Sequence, residues 1–186
     1  MKNMTPGRTG TVAGFLLACC MTWLAALPAN AQQTHPHGGH SHGAYAGLQK
    51  RPIKALSEQQ VADLRAGKGM SLALPAELNG YPGPLHTLEL AEALKLSAAQ
   101  RARTQALFSQ MQHEARLAGE SVIGAEAALD TLFRDKRVSE TSLTAAVAGA
   151  AQAQGALRET HLRYHLRMME VLTADQVAAY HKLRGY

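Results

Sequence analysis

Cysteine is confined to the very start of this sequence, where Cys19 and Cys20 stand side by side. If that segment is removed as a leader, no thiol remains for a disulfide, a thiolate nucleophile or a cysteine-based zinc site. Such a chain suits an oxidising compartment. Aromatic residues are scarce, at 5% with a single Trp, and alanine is abundant, a composition that favours helices. Runs of Lys or Arg are also missing. Without Lys2 and Arg8, the 19 basic side chains fall to 17 against 14 acidic ones, a formal charge of +3. So mild and interspersed a charge argues against nucleic-acid binding. The one long apolar run, Val12 to Leu27, falls short of the roughly 20 residues a membrane helix needs. There is no Gly-x-Ser-x-Gly, no phosphate loop and no His-Glu-x-x-His. The glycines of Arg65 to Met70 follow no strand, so that stretch reads as a loop. Glu89 and Glu92 read as a solvated face. With no nucleophile or base visibly supported by partners, an enzyme is disfavoured.

Residues 1–31 read as a signal peptide. Lys2 and Arg8 give the basic start, Val12 to Leu27 the apolar core, and Ala29-Asn30-Ala31 a small-x-small cleavage site before Gln32. A second reading competes: Leu16-Leu17-Ala18-Cys19 resembles a lipobox, which would leave a protein anchored through Cys19. About 155 residues then remain, enough for one domain with a real core. Residues 32–50 read as a flexible arm around "HPHGGHSHGAYAG", 51–84 as a short helix with a turn-rich stretch, and 85–186 as a helical-hairpin domain.

The form Leu-Ser/Thr-x-x-Gln occurs three times, at Leu56–Gln60, Leu96–Gln100 and Leu172–Gln176. It is the signature of a capping box, so helices are expected to start after Ser57, Ser97 and Thr173. The first ends at Gly67 with Val61 and Leu64 inward. A single helical turn is placed at Ala76 to Leu78, and a helix over Leu85 to Leu94 carries Leu85, Leu88, Ala91 and Leu94 on one face. From Ser97 to about Arg134 the inward candidates Phe108, Met111, Ala115, Ala118, Val122, Ala125, Leu129 and Leu132 recur in four-three steps. That is a helix of roughly 55 Å. Ser139 caps a return helix whose seam is Leu143, Val147, Ala150, Gln154, Leu157, His161, Tyr164 and Met168. The expected fold is all-α: a long antiparallel helical hairpin with shorter packing helices. The alanines of the first long helix allow a close partner, in this chain or a second one.

Two groups of residues point to metal chemistry. In "THLRYHLRMMEVL", His161 and His165 are four apart, as are His165 and Met169, so they share one helical face. Imidazole suits zinc, copper, nickel and cobalt, and a thioether shifts preference toward copper. Folding the hairpin about Lys136–Arg137 places His161 opposite Gln112 with Met111 and His113 beside it, and His165 opposite Phe108. Glu114 or His113 would then add a donor to His161, His165 and Met169. The plain alternative is that His161 and Met168 are core residues of the seam. The second group is the arm: His35, His37, His40 and His42 within eight residues, neutral imidazoles able to chelate Cu(II), Ni(II) or Zn(II). Its plain alternative is a solvated tail.

The paired motifs Leu96–Gln100 and Leu172–Gln176, bracketing a long hairpin in a secreted alanine-rich chain and joined by "HLRYHLRMM", resemble the LTxxQ superfamily of the Gram-negative periplasm. That superfamily holds the Spy/CpxP stress chaperones and the CnrX-like heavy-metal-resistance and sensor proteins. The resemblance covers roughly Leu85 to Tyr186. It implies a periplasmic, all-helical Spy/CpxP-like domain that associates as a homodimer. In the metal branch, a His-x-x-x-Met pair before the second motif supplies ligands, matched here by His165 and Met169. A carboxylate of the preceding long helix joins them, matched by Glu114. Histidines near the mature N-terminus complete that site, a part His40 and His42 can play only without helical spacing. In the chaperone branch a basic, partly apolar concave face holds unfolded clients without ATP, a role open to Arg101, Arg103, Arg116, Arg163 and Arg167. Three readings stay open: a periplasmic protein that buffers or senses a divalent transition metal (Zn, Cu, Ni or Co), with a membrane sensor or regulator as a partner; a client-binding chaperone; and, the weakest, a structural coiled-coil subunit with no ligand. Residues 45–84 depart from the family pattern and carry no functional reading.

Overall fold

The structure, a computed structural model, describes residues 45–186. The signal peptide or lipobox and His35, His37, His40 and His42 lie outside the described residues. Within them the chain is all-helical. After a 3-10 turn at Leu48–Lys50 come α1 (Glu58–Ala66), α2 (Leu74–Glu77), α3 (Pro84–Glu89), α4 (Ala98–Arg134), α5 (Glu140–Met168) and α6 (Ala174–Arg184). The two long helices, α4 and α5, pack antiparallel as a hairpin. No described helix is long and apolar enough to cross a membrane.

All three Leu-Ser/Thr-x-x-Gln motifs form reciprocal capping boxes, at Ser57, Ser97 and Thr173. Ser139 caps α5 with Ser142 as its partner. Two of the motifs do more than cap. Gln100 Nε2 donates to Gln176 Oε1 (2.7 Å) and to the Val171 carbonyl (2.9 Å). Gln176 Nε2 donates to Gln100 Oε1 (3.2 Å) and to the Leu94 carbonyl (3.2 Å). Each amide oxygen also accepts from its own cap residue's N–H. The two amides thus form a reciprocal pair that leaves no donor idle in a part-buried place, where an unmade bond is costly. The leucines that open the motifs, Leu96 and Leu172, enter one core beside it with Ala91, Leu94, Met168, Val171 and Tyr180. Gln60 makes no such crossing and only caps.

A second core lies farther along the hairpin, where Leu64 of α1 meets Ala115, Val122, Ile123 and Leu157. The close partner that the small residues of α4 admit is α1. A Cβ on Gly119 would stand 2.5 Å from the Leu64 carbonyl oxygen, and one on Gly67 would stand 2.8 Å from that of Gln112. Gly67 also ends α1 in a left-handed conformation at φ 67°.

Two expectations shift. The helix placed over Leu85–Leu94 is α3 followed by a separate turn closed by Leu96 N–H to the Ala91 carbonyl, with Lys95 left-handed at φ 50°. The break leaves Leu85 42% exposed while Ala91 and Leu94 reach the core. In α5 the seam holds from Leu157 to Met168, with Leu143 and Ala150 partly buried as expected, but Val147 and Gln154 face out and Ala146 and Ala153 turn partly inward. The 3.6-residue turn drifts against a strict heptad once α1 no longer covers the hairpin.

The amide pair predicts a coupled loss. Gln100→Ala and Gln176→Ala should each cost about 1–3 kcal/mol, and a double-mutant cycle in urea should return a coupling of about 0.5–3 kcal/mol. Gln60→Ala should cost only the roughly 0.5–1.5 kcal/mol of one hydrogen bond. Strict additivity of the first two would refute the pairing.

Candidate functional site

The buried face of α5 carries Leu157, Thr160, His161, Tyr164, His165 and Met168. Four-residue spacing sets both imidazoles on that face, and they are 3% and 7% exposed. What covers them is the turn-rich segment before α4, whose prolines start two short helices: Pro75 in α2 and Pro84 at the head of α3. The result is a cavity of about 250 Å³ walled by Met70, Glu77, His86, Met111, His161 and His165, with small and aliphatic residues between them.

His165 is held in one orientation. Its Nδ1 lies 2.6 Å from the Tyr81 carbonyl oxygen. A carbonyl only accepts, so Nδ1 carries a proton, which makes Nε2 the nitrogen through which the neutral ring would bind a metal. The ring presses on Gly83, where a Cβ would stand 2.8 Å from His165 Cε1. Only glycine fits that place in Pro82-Gly83-Pro84.

Glu77 is buried, and burying a charge is expensive unless it is paired and hydrogen-bonded. Its Oε1 accepts from the hydroxyls of Tyr180 (2.5 Å) and Tyr186 (3.2 Å), and Arg184 Nε lies 3.4 Å away. Burial, then the bond to Glu77, raise the pKa of the Tyr180 phenol far above its ordinary value. Glu77 Oε2 has no hydrogen-bond partner and lies 3.7 Å from His165 Nδ1. This carboxylate ties α2 to α6 and brings negative charge to the cavity wall.

His161 is the least satisfied group. Its Nε2 is buried and has no protein partner, a state that calls for an explanation. Burial, and then the nearby His165, hold its pKa below the ordinary 6.5. The ring therefore stays neutral, with a lone pair to offer, at pH values where a free imidazole is protonated.

The other candidates lie elsewhere. Glu114 accepts from the Tyr164 hydroxyl at 2.8 Å and pairs with Arg163 at 3.7 Å. Burial and that bond push the Tyr164 phenol up to about 12. Met169 is 40% exposed at the end of α5, and His113 is exposed on α4. None of the three lines the cavity. Among the described residues, no three of His, Cys, Asp and Glu are grouped so as to hold an ion. Of the arginines, Arg101 pairs with Glu92, Arg103 with Glu170 and Arg163 with Glu114 and Glu159. Arg167 stacks on Tyr164 at 4.7 Å, and Arg116 is exposed. Sequence reasoning placed Met111 beside His161 but missed Met70, Glu77 and His86. These belong to the irregular segment, where no period marks which side chains turn inward.

No family model, curated protein or solved structure matches this chain.

The depressed pKa of His161 sets a pH dependence. The unfolded chain takes up its proton near pH 6.5, the folded chain only lower. The stability contributed by neutral His161 is complete above about 6.5 and is lost as pH falls through the window below it. Urea midpoints measured between about pH 7 and 5.5 should fall on acidification, and less steeply in His161→Gln, which does not titrate. Equal slopes would contradict this account.

Proposed function

We propose that this protein binds a transition-metal ion through the paired imidazoles of α5 and serves as a periplasmic metal buffer or sensor. The observation that carries the reading is His161, whose Nε2 is buried beside a cavity with no hydrogen-bond partner. His165, with Nδ1 bonded to a carbonyl, offers Nε2 in the metal-binding tautomer. The residues present fit a metal in part. The two imidazoles suit Zn, Cu, Ni or Co, while Glu114 and Met169, which the LTxxQ resemblance implies, lie away from the cavity. The ion would bring Lewis-acid affinity for neutral nitrogen and sulfur donors; the chain supplies orientation and exclusion of water. His35, His37, His40 and His42 would add weaker, more promiscuous chelation.

The Spy/CpxP-like reading remains a second proposal, and one observation favours it. Phe133, Val138 and Val147 are exposed near the hairpin turn, a surface suited to an unfolded client or to a second copy in the homodimer the resemblance implies. Four of the five arginines assigned to such a face are already engaged within the chain, which weakens its basic character.

Titration calorimetry separates the two. With His35, His37, His40 and His42 all replaced by alanine, the protein should still bind one ion per chain. His161→Ala and His165→Ala should each abolish that binding, and it should weaken as pH falls through the imidazole range. Suppression of client aggregation without metal, and no ion retained once the arm imidazoles are gone, would favour the chaperone.

A further inference from the structure

We infer that the cavity is a soft-metal site in which the thioether sulfurs of Met111 and Met70 join the imidazoles of His161 and His165 on a monovalent d10 ion, copper(I), in preference to zinc, nickel or cobalt. This rests on the metal-binding reading above and names the ion and the ligands.

The hard donors around the cavity are only partly open: Glu77 Oε2 has no hydrogen-bond partner, but the other donors are engaged. Glu77 Oε1 serves Tyr180, Tyr186 and Arg184. His86 Nδ1 is 2.7 Å from Glu89 Oε2, and His165 Nδ1 is committed to Tyr81. A zinc ion seeking four nitrogen, thiolate or carboxylate donors finds no such group among the described residues. Copper(I) is satisfied by fewer ligands and prefers thioether and imidazole.

Two thioethers are present in the same wall. Met111 comes from α4 and is 8% exposed; Met70 comes from the loop after α1. Methionine has three rotatable bonds and a polarizable sulfur, so both sulfurs can swing toward the idle nitrogen of His161. A single positive charge is also cheaper to move out of water than a double one. The backbone at Met70 adds weight. Met70 and Ser71 both lie in the left-handed region, at φ 41° and 64°, a conformation that strains non-glycine residues. Glycine would relax that strain, yet a thioether stands there, lining the cavity and packed against the second core.

If the methionines were only filler, leucine would replace them at little cost, since the swap nearly conserves volume. The test therefore uses Met70→Leu/Met111→Leu in protein whose four arm histidines are alanine. Silver(I), and copper(I) held anaerobically against a chromophoric chelator, serve as probes beside Zn(II), Ni(II) and Co(II). Unchanged thermal unfolding of the metal-free variant establishes that it folds. The expected result is one silver(I) or copper(I) per chain before the substitution. Afterwards the affinity should fall by more than the roughly 10–100-fold that loss of an outer-shell partner costs. Affinity for the soft ions unchanged by the leucines, or tighter binding of zinc, nickel or cobalt at His161, would overturn the inference and leave the metal-binding reading standing. Failure of every ion to bind would overturn both.

Discussion

The reciprocal pairing of Gln100 with Gln176 is the constraint on which the rest of the structure depends. A hairpin of two long helices has no inherent reason to keep its open end shut. Here each motif caps its own helix and then spends its remaining amide hydrogens on the other motif's partner and backbone. The leucines beside them bury against Met168 and Tyr180 in one core. One short sequence form therefore serves local and tertiary structure at once, the consistency across levels that lets a sequence specify one fold.

That closure fixes where α6 lies, and α6 fixes the cavity. Tyr180 is buried next to the closed base and donates to Glu77, while Arg184 and Tyr186 meet the same carboxylate. Glu77 anchors α2, and the chain after α2 runs past Tyr81 and Gly83 to hold the His165 ring. The placement of the α5 imidazoles thus depends on a chain of polar contacts reaching back to the two glutamines. No link is long, and each is buried enough that an unmade bond would be felt.

Much of this was legible in the sequence because it is periodic or local. Capping boxes need only residues three apart, and the expected starts after Ser57, Ser97 and Thr173 match the structure. The hairpin and the burial of His161, Tyr164 and Met168 follow from four-three spacing, and folding about Lys136–Arg137 correctly put Met111 near His161. The cross-pairing of Gln100 and Gln176 was not legible, since Gln60 stands in the same local pattern and pairs with nothing across the fold. Nor were Glu77, Met70 and His86. Their roles arise from contacts between an irregular segment and helices far along the chain, and proline-glycine punctuation marks where such a segment turns without saying what it covers.

Imidazole and thioether line one cavity, while one oxygen of the Glu77 carboxylate ties α2 to α6. Copper K-edge X-ray absorption on the arm-substituted protein loaded with one equivalent of copper(I) tests this most directly. The predicted spectrum has sulfur and imidazole nitrogen together in the first coordination shell. A shell of nitrogen and oxygen alone would contradict it.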